Sequence, residues 1–273
     1  EVVLAAEGAQ AALLKKEFPS LLCMPLRGYR VRYSKRQWKL PFTLMWQSPG
    51  FFNIIRNENR WLEKIIEQYR IDLVISDNRY GLSSKKIPCI FITHQLTIKA
   101  RFGWLEKIMQ RINYRFINRF TSCWVPDAPG EPNAAGILSH PLKLPSIPVH
   151  YIGLLSRFRQ QDTLKKYDYC ILLSGPEPQR TMLEKKIIDG LAKGMGKILL
   201  VRGKPGSNES ITVPGNVEVK NHLLTEEMQE VILQSECILS RSGYTTIMEL
   251  LSLRKNSILI PTPGQTEQEY LAK

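Results

Sequence analysis

At 273 residues the chain has room for two ordinary domains, each with its own core. Hydrophobic residues make up 43% of it, typical of soluble proteins, and no apolar run in this sequence approaches the roughly eighteen residues of a membrane span. The net charge of +13 is uneven: residues 1–150 hold 22 Lys/Arg against 11 Asp/Glu and residues 151–273 hold 16 against 14, so the first half calls for an anionic partner, a membrane surface or a nucleic acid.

The chain opens on Glu1-Val-Val-Leu-Ala-Ala6, a strand with nothing before it. That beginning, without a signal peptide, predicts a fragment trimmed at both ends. Gly8 to Phe18 reads as an Ala-rich helix and Leu21 to Pro25 as a second strand. From Arg27 to Lys39 the chain is basic and aromatic, with Tyr29, Tyr33 and Trp38 among six Lys/Arg. That mixture suits single-stranded nucleic acid, a lipid headgroup layer or a solvated loop. The apolar stretch Leu40 to Trp46 is too short to span.

Glu58 to Tyr69 carries Trp61, Leu62, Ile65, Ile66 and Tyr69 at helical spacing. Asp72 to Ser76 is a short strand ending at Asp77, and Ile87 to Thr93 another ending at His94. Such alternation predicts parallel βαβ units, whose strand ends deliver polar residues to the ligand-binding edge. Asp77 and His94 are the two acid/base candidates of this half, each able to take a proton from a hydroxyl; equally, Asp77 could cap a turn and His94 be a satisfied loop residue. Arg101 to Phe120 forms a further helix. Its apolar residues Trp104, Leu105, Ile108, Met109, Ile112, Phe116 and Phe120 read as core-packed, with a membrane-surface helix as the alternative, since Lys107, Arg111, Arg115 and Arg119 line its flank and could meet lipid phosphates. Cys123 to Asp127 is a strand, followed by a Pro/Gly-rich loop to Pro148 and a connector from Val149. The domain boundary is set here, giving 1–152 as a basic acceptor-side domain and 153–273 as a second domain.

Tyr169 to Ser174 is a buried strand running into Gly175, with a helix to Lys193. Lys197 to Val201 is a strand ending at Arg202. Val217 to Val219 leads to Asn221-His222-Leu223, with Thr225 as the N-cap of a helix. Cys237 to Leu239 is a strand meeting Arg241-Ser242-Gly243, after which Ile247, Leu250 and Leu251 recur at helical spacing. Ser257 to Ile260 stops at Pro261-Thr-Pro-Gly264, and another helix begins. Helix N-termini at Gly175, at Ser242/Gly243 and after Gly264 would hold a phosphate, aided by Arg241 or Arg202. The fold class is α/β, two Rossmann-like domains facing a cleft. The five scattered cysteines form no CxxC or Cys/His cluster, so no metal site is expected and the thiols read as buried and reduced in a cytosolic protein.

The run Ser240-Arg-Ser-Gly-Tyr-Thr-Thr-Ile-Met-Glu-Leu250, with Ile258-Leu-Ile-Pro261 and Gln265 to Glu269, resembles the donor-binding segment of GT-B glycosyltransferases. It is most similar to glycosyltransferase family 28, which includes the N-acetylglucosaminyltransferase of peptidoglycan lipid synthesis. The resemblance implies that Ser242 and Gly243, with Thr245, form the phosphate-binding turn. Glu249 would hold the ribose, and Gln268, with Gln265 and Glu267, would read the sugar. Glu269 stands where the family has a second Gln. Ser174-Gly175 matches the family's glycine-rich loop, from which Pro176 and Pro178 depart, and His222-Leu223 falls where that family holds uracil. Pro88 to Gln95 is similar to the family's strand ending in His-Glu-Gln.

It further implies an inverting, metal-independent transfer from a nucleotide-diphosphate sugar, UDP-linked, to a hydroxyl acceptor that is lipid-linked in the family. The nucleotide sugar is the substrate, no cofactor is expected, and the chain holds no Asp-x-Asp metal motif. The expected location is cytoplasmic, peripheral on the inner face of the cell membrane, with an anionic membrane surface against the basic first domain and no nucleic acid. Two other readings stand beside it: a nucleotide-sugar epimerase of the same fold, and a non-catalytic nucleic-acid-binding protein suggested by residues 27–38.

Overall fold

The computed structural model describes residues 1–26, 40–100, 102–191, 194 and 196–273, with backbone alone at residue 9 and over 40–49. The basic, aromatic stretch from Arg27 to Lys39 lies outside these residues. The chain divides into two compact units. One comprises Glu1–Thr93, Tyr114–Trp124 and Pro145–Val149; the other comprises His94–Asn113, Val125–Leu144 and His150–Lys273. Compactness therefore places His94–Asn113 and Val125–Leu144 with the C-terminal unit, whereas the sequence division runs at 152/153.

In the first unit β1 (Val3–Ala6) and β2 (Leu22–Pro25) pair in parallel across α1 (Gly8–Glu17). The helix α2 runs unbroken from Leu40 to Tyr69, so the apolar stretch at 40–46 is helical and continuous with the helix read from Glu58. Next in chain order come β3 (Val74–Asp77), β4 (Cys89–Ile92), α3 (Gly103–Ile117), β5 (Ser122–Val125) and β6 (Val149–Tyr151), with sheet order β3-β4-β5-β6; most of α3 and the end of β6 fall in the second unit. Phe91, Cys89 and Cys123 are fully buried, and Tyr80 stacks on Phe91 at 5.1 Å between ring centroids. The buried Glu58 carboxylate pairs with Arg79 and accepts the Gly81 N–H. A Cβ on Gly81 would lie 2.4 Å from that carboxylate, so only glycine lets the loop close on it. The reading of α3 as core-packed holds for Phe116 but not for Trp104, Ile108 and Ile112, which are solvent-exposed.

The second unit is built on a five-stranded sheet of order β11-β10-β7-β8-β9, with all four pairings parallel. Its elements are β7 (Tyr167–Leu172), α4 (Gln179–Gly190), β8 (Ile198–Val201), β9 (Val217–Lys220), α5 (Thr225–Leu233), β10 (Ser235–Arg241), α6 (Tyr244–Ser252), β11 (Asn256–Ile260) and α7 (Thr266–Leu271). β8 is buried on both faces, as expected for an inner parallel strand and its unbroken Ile-Leu-Leu-Val run. The chain starts at β7, works outward through β8 and β9, then returns to the other side of β7 for β10. Winding reverses between β7 and β10, and that reversal opens a crevice at their C-terminal ends. At the next strand end Gly203 (φ +65) brings its backbone so close that a Cβ would sit 2.2 Å from the Leu173 carbonyl oxygen. One local expectation changes: Leu224, not Thr225, is the N-cap of α5, and its N–H is taken by Glu227 at 2.9 Å.

Candidate functional site

The reversal point is furnished by the two turns the sequence singles out. After β7, Ser174 and Gly175 (φ +103) are exposed, and a Cβ on Gly175 would meet nothing within 4 Å. After β10, Ser242 is buried and Gly243 caps α6 without any side-chain hydrogen bond to its first turn. The first N–H groups of α6 thus have no side-chain cap at the positive end of the helix dipole. Ser242 does not present its hydroxyl there: Oγ donates to the Gln268 carbonyl at 2.8 Å.

Arg241 is the cation of this crevice. It is 5% exposed, with one guanidinium NH2 group donating to the Pro261 carbonyl (2.8 Å) and the other to the Gln179 carbonyl (3.1 Å). Its Nε is buried without a partner, and among the described residues no carboxylate pairs with it. Burial pushes its pKa below the ordinary value. A buried guanidinium held only by carbonyl oxygens is incompletely compensated, and an anion at the crevice would complete it.

Glu249 lies on α6, buried, with Oε1 accepting from Arg157 Nε at 2.9 Å. Arg157 also donates to Thr225 Oγ1 at 3.0 Å. Burial raises the Glu249 carboxyl above its ordinary value, partly offset by the Arg157 charge. Arg157 had no sequence signal beyond its place at the end of the connector, since nothing in local spacing points from it to α6.

At the start of α6 a second group of polar residues converges. His94 Nε2 lies 2.6 Å from Glu267 Oε1, and its ring stacks on Tyr244 at 4.1 Å and 15°. Tyr244 donates to the Pro126 carbonyl at 2.7 Å; burial, then the neighbouring Asp127 charge, raises its pKa. Asp127 is fully buried. Burial pushes its carboxyl up, but the Ala134 N–H, the Ser139 hydroxyl and the Ala135 and Ala128 N–H groups outweigh that and hold it below the usual range. Asp127 thereby fixes the loop that packs against Tyr244, Met248 and Tyr270. Sequence reading passed over both Asp127 and Tyr244, because neither shows a role until the loop has folded back.

The residues after β11 are partly occupied in shaping their own loop. The Gln268 carboxamide oxygen accepts the Thr262 N–H (2.9 Å), and Glu269 accepts the Gly264 N–H (3.1 Å). The short α7 has Glu267 and Glu269 in its first turn, which complement the positive end of its dipole. Gln265 is the α7 N-cap.

Other expected residues stand apart from this group. Arg202 is turned inward, bonded to Glu184, Asn221 and Glu209, so its donors are spent within the fold. His222 is half-buried and Leu223 buried beyond the end of the edge strand β9. Thr245 is exposed in the first turn of α6. Asp77 is exposed at the end of β3, in the first unit. Among the described residues no group of His, Cys, Asp and Glu is arranged to hold a metal, and no helix is long and apolar enough to cross a membrane.

Comparison with known proteins agrees with this fold. Residues 181–273 match the model of the glycosyltransferase family 28 C-terminal domain. The chain is 23% identical over 220 residues to the UDP-N-acetylglucosamine–N-acetylmuramyl-(pentapeptide) pyrophosphoryl-undecaprenol N-acetylglucosamine transferase of Haemophilus ducreyi, covering 76% of this chain and 57% of that relative. The chain thus spans little more than half the length of that relative. Among solved structures it is similar to the spinosyn forosaminyltransferase SpnP (TM-score 0.58, 13% identity, covering 99% of this chain and 74% of that one). It is also similar to MurG of Acinetobacter baumannii (TM-score 0.51, 13% identity, 100% and 73%). Residues 181–273 therefore match the glycosyltransferase family 28 C-terminal domain, on a chain with the α/β fold of the GT-B glycosyltransferases.

Proposed function

We propose that the chain is a glycosyltransferase moving a sugar from a UDP-linked donor to a hydroxyl acceptor, with inversion and without a metal ion or other cofactor. The observation that carries this reading is the buried Arg241, unpaired with any carboxylate, beside the uncapped start of α6 at the reversal between β7 and β10. A diphosphate leaving group needs that combination of fixed donors and low-dielectric positive charge. Ser174-Gly175 and Gly243 let backbone approach it, and Glu249 accepts from the ribose hydroxyls. His222-Leu223 flank the base, while Gln265, Gln268 and Thr245 meet the sugar and phosphates.

His94 is the base in this reading, with Asp77 as the alternative. Glu267 holds Nε2, which leaves Nδ1 to take the acceptor proton. The acceptor oxygen then attacks the anomeric carbon, the bond to the diphosphate breaks, and its electron pair leaves with the diphosphate. Glu267 accepts a hydrogen bond from the imidazolium, a role different from the sugar contact expected of it. The Haemophilus relative's name specifies a pyrophosphoryl-undecaprenol acceptor, which supports a lipid-linked acceptor.

Thermal-shift measurement against UDP-, GDP- and dTDP-sugars tests the site. UDP-sugars should raise Tm and the other nucleotides less. No response to any nucleotide sinks the reading, and hydrolysis of the donor with no acceptor dependence moves it to an epimerase.

A further inference from the structure

Two lysines meet at the end of the five-stranded sheet remote from the crevice. Lys165 precedes β7 and Lys255 precedes β11, and the register of both strands against β10 brings the two residues to either flank of its start. Lys165 Nζ donates to the Leu233 carbonyl (3.1 Å) and the Ser235 carbonyl (3.0 Å). Lys255 Nζ donates to the same two oxygens, at 2.8 Å each. Leu233 ends α5 and Ser235 begins β10, both buried, so a single ammonium would suffice to cap the helix. Two on the same oxygens lie within a few ångströms of each other. Neighbouring charges are engaged elsewhere: Lys166 lies over the Tyr167 ring, Glu218 accepts from Tyr167, and Glu230 accepts from Gln234. Arg254 is exposed, and the exposed Glu236 is the one charge besides Lys165 that acts on Lys255. Burial, then the adjacent Lys165, pulls the Lys255 amine down to about 8.

We propose that Lys255 is an acylation site, a nucleophilic amine that takes its acyl group from an anionic activated donor, an acyl phosphate. Loss of one proton relieves the contact between like charges, and the neutral Lys255 keeps two N–H groups for the two carbonyls. Its lone pair then points away from both. A lysine beside a second cation is an arrangement that makes an amine nucleophilic near neutral pH. Lys165, exposed and still charged, attracts the phosphate and stabilises the oxyanion that forms as Lys255 Nζ attacks the acyl carbon. The N–C bond forms, the C–O bond to phosphate breaks with its electron pair leaving on the phosphate, and one amine proton passes to water. The amide keeps one N–H for the cap, Lys165 already serves both carbonyls, and one charge leaves a crowded corner.

Incubation of the whole chain with acetyl phosphate near neutral pH, with acetylation mapped by peptide mass spectrometry at early times, tests it. Lys255 should be acetylated at least about tenfold faster than the exposed Lys185 and Lys186 of α4. Its rate should level off as pH rises through about 8. Lys165→Met, which removes the neighbouring cation, should slow Lys255 at least about threefold, and Lys165→Arg, which keeps a cation, should hold the rate. Both substitutions fall at an exposed position and should leave far-UV circular dichroism unaltered; should the methionine variant misfold, the pH profile of the unaltered chain decides. Acetylation of Lys255 no faster than that of Lys185 and Lys186, label arriving on Lys165 instead, or a rate that keeps rising well past pH 8 overturns the proposal and leaves the pair as a structural cap of α5. So does a rate unchanged in Lys165→Met. None of these measurements involves a nucleotide, so their failure leaves the transferase reading standing.

Discussion

His94 and Glu267 meet at 2.6 Å although 173 positions separate them in the chain. The meeting depends on a second contact beside it, the Thr266 hydroxyl on the Lys99 carbonyl at 2.8 Å, which lays the segment after β4 along the start of α7. If His94 is the base, Glu267→Gln should lower kcat for UDP release from a UDP-sugar by about tenfold to a hundredfold, with little change in KM. His94→Ala should cost about as much or more. Equal losses in KM alone would instead mark both residues as sugar contacts.

Arg241 offers a sharper test of the diphosphate site. Arg241→Met leaves the Pro261 and Gln179 carbonyls without donors and should cost about 1–3 kcal/mol of stability. Arg241→Lys, which keeps the charge but loses the fork, should fold and yet bind UDP at least about tenfold more weakly. Calorimetric titration of UDP against the Lys variant is the measurement, and unchanged affinity would remove Arg241 from the site.

Glu249 and Arg157 predict a pH dependence for binding uridine, a ligand without a phosphate of its own to titrate. The ribose diol is held by the ionised carboxylate. Because burial raises the Glu249 pKa despite Arg157, affinity should fall on acidification at a pH above the ordinary glutamate value. Arg157→Ala removes the charge that opposes the shift, so the midpoint should move further up. A midpoint that moves down on that substitution contradicts this account.

Asp127 carries a stability prediction of defined sign. Its pKa is depressed in the folded chain, so its contribution is present above the unfolded value and is lost as pH falls through the folded one. Asp127→Asn turns an acceptor toward its four donors into a partial donor and should cost about 3 kcal/mol, seen as a lower Tm at neutral pH. The gap between the two proteins should narrow in acid.

Much of this organisation was legible in the sequence, because parallel strands and their turns are local features. The Leu-Leu and Ile-Leu runs, Gly175, Ser242-Gly243 and Pro261 mark the βα turns correctly, with Arg241 at the end of β10 and Glu249 in α6. What escaped was long-range. Nothing near Arg202 shows that Glu184 and Glu209 will consume its donors, and nothing near Arg157 shows that it will reach Glu249. The exposure of Trp104, Ile108 and Ile112 was also hidden, since helical spacing is the same whether an apolar face meets a core or water.

The loop after β11 has a consequence for how the donor is chosen. Gln268 fastens the Thr262 N–H, Glu269 fastens the Gly264 N–H, and the Gln268 carbonyl receives Ser242. If, as proposed, this loop meets the sugar, the side chains that would read it are also the pins of the turn that presents them. A change of sugar preference made at Gln268 or Glu269 would loosen the recognition surface as it altered it. Selectivity could shift more cheaply at neighbours that pin nothing, so preferences in this chain should diverge first around the loop and last at its fasteners.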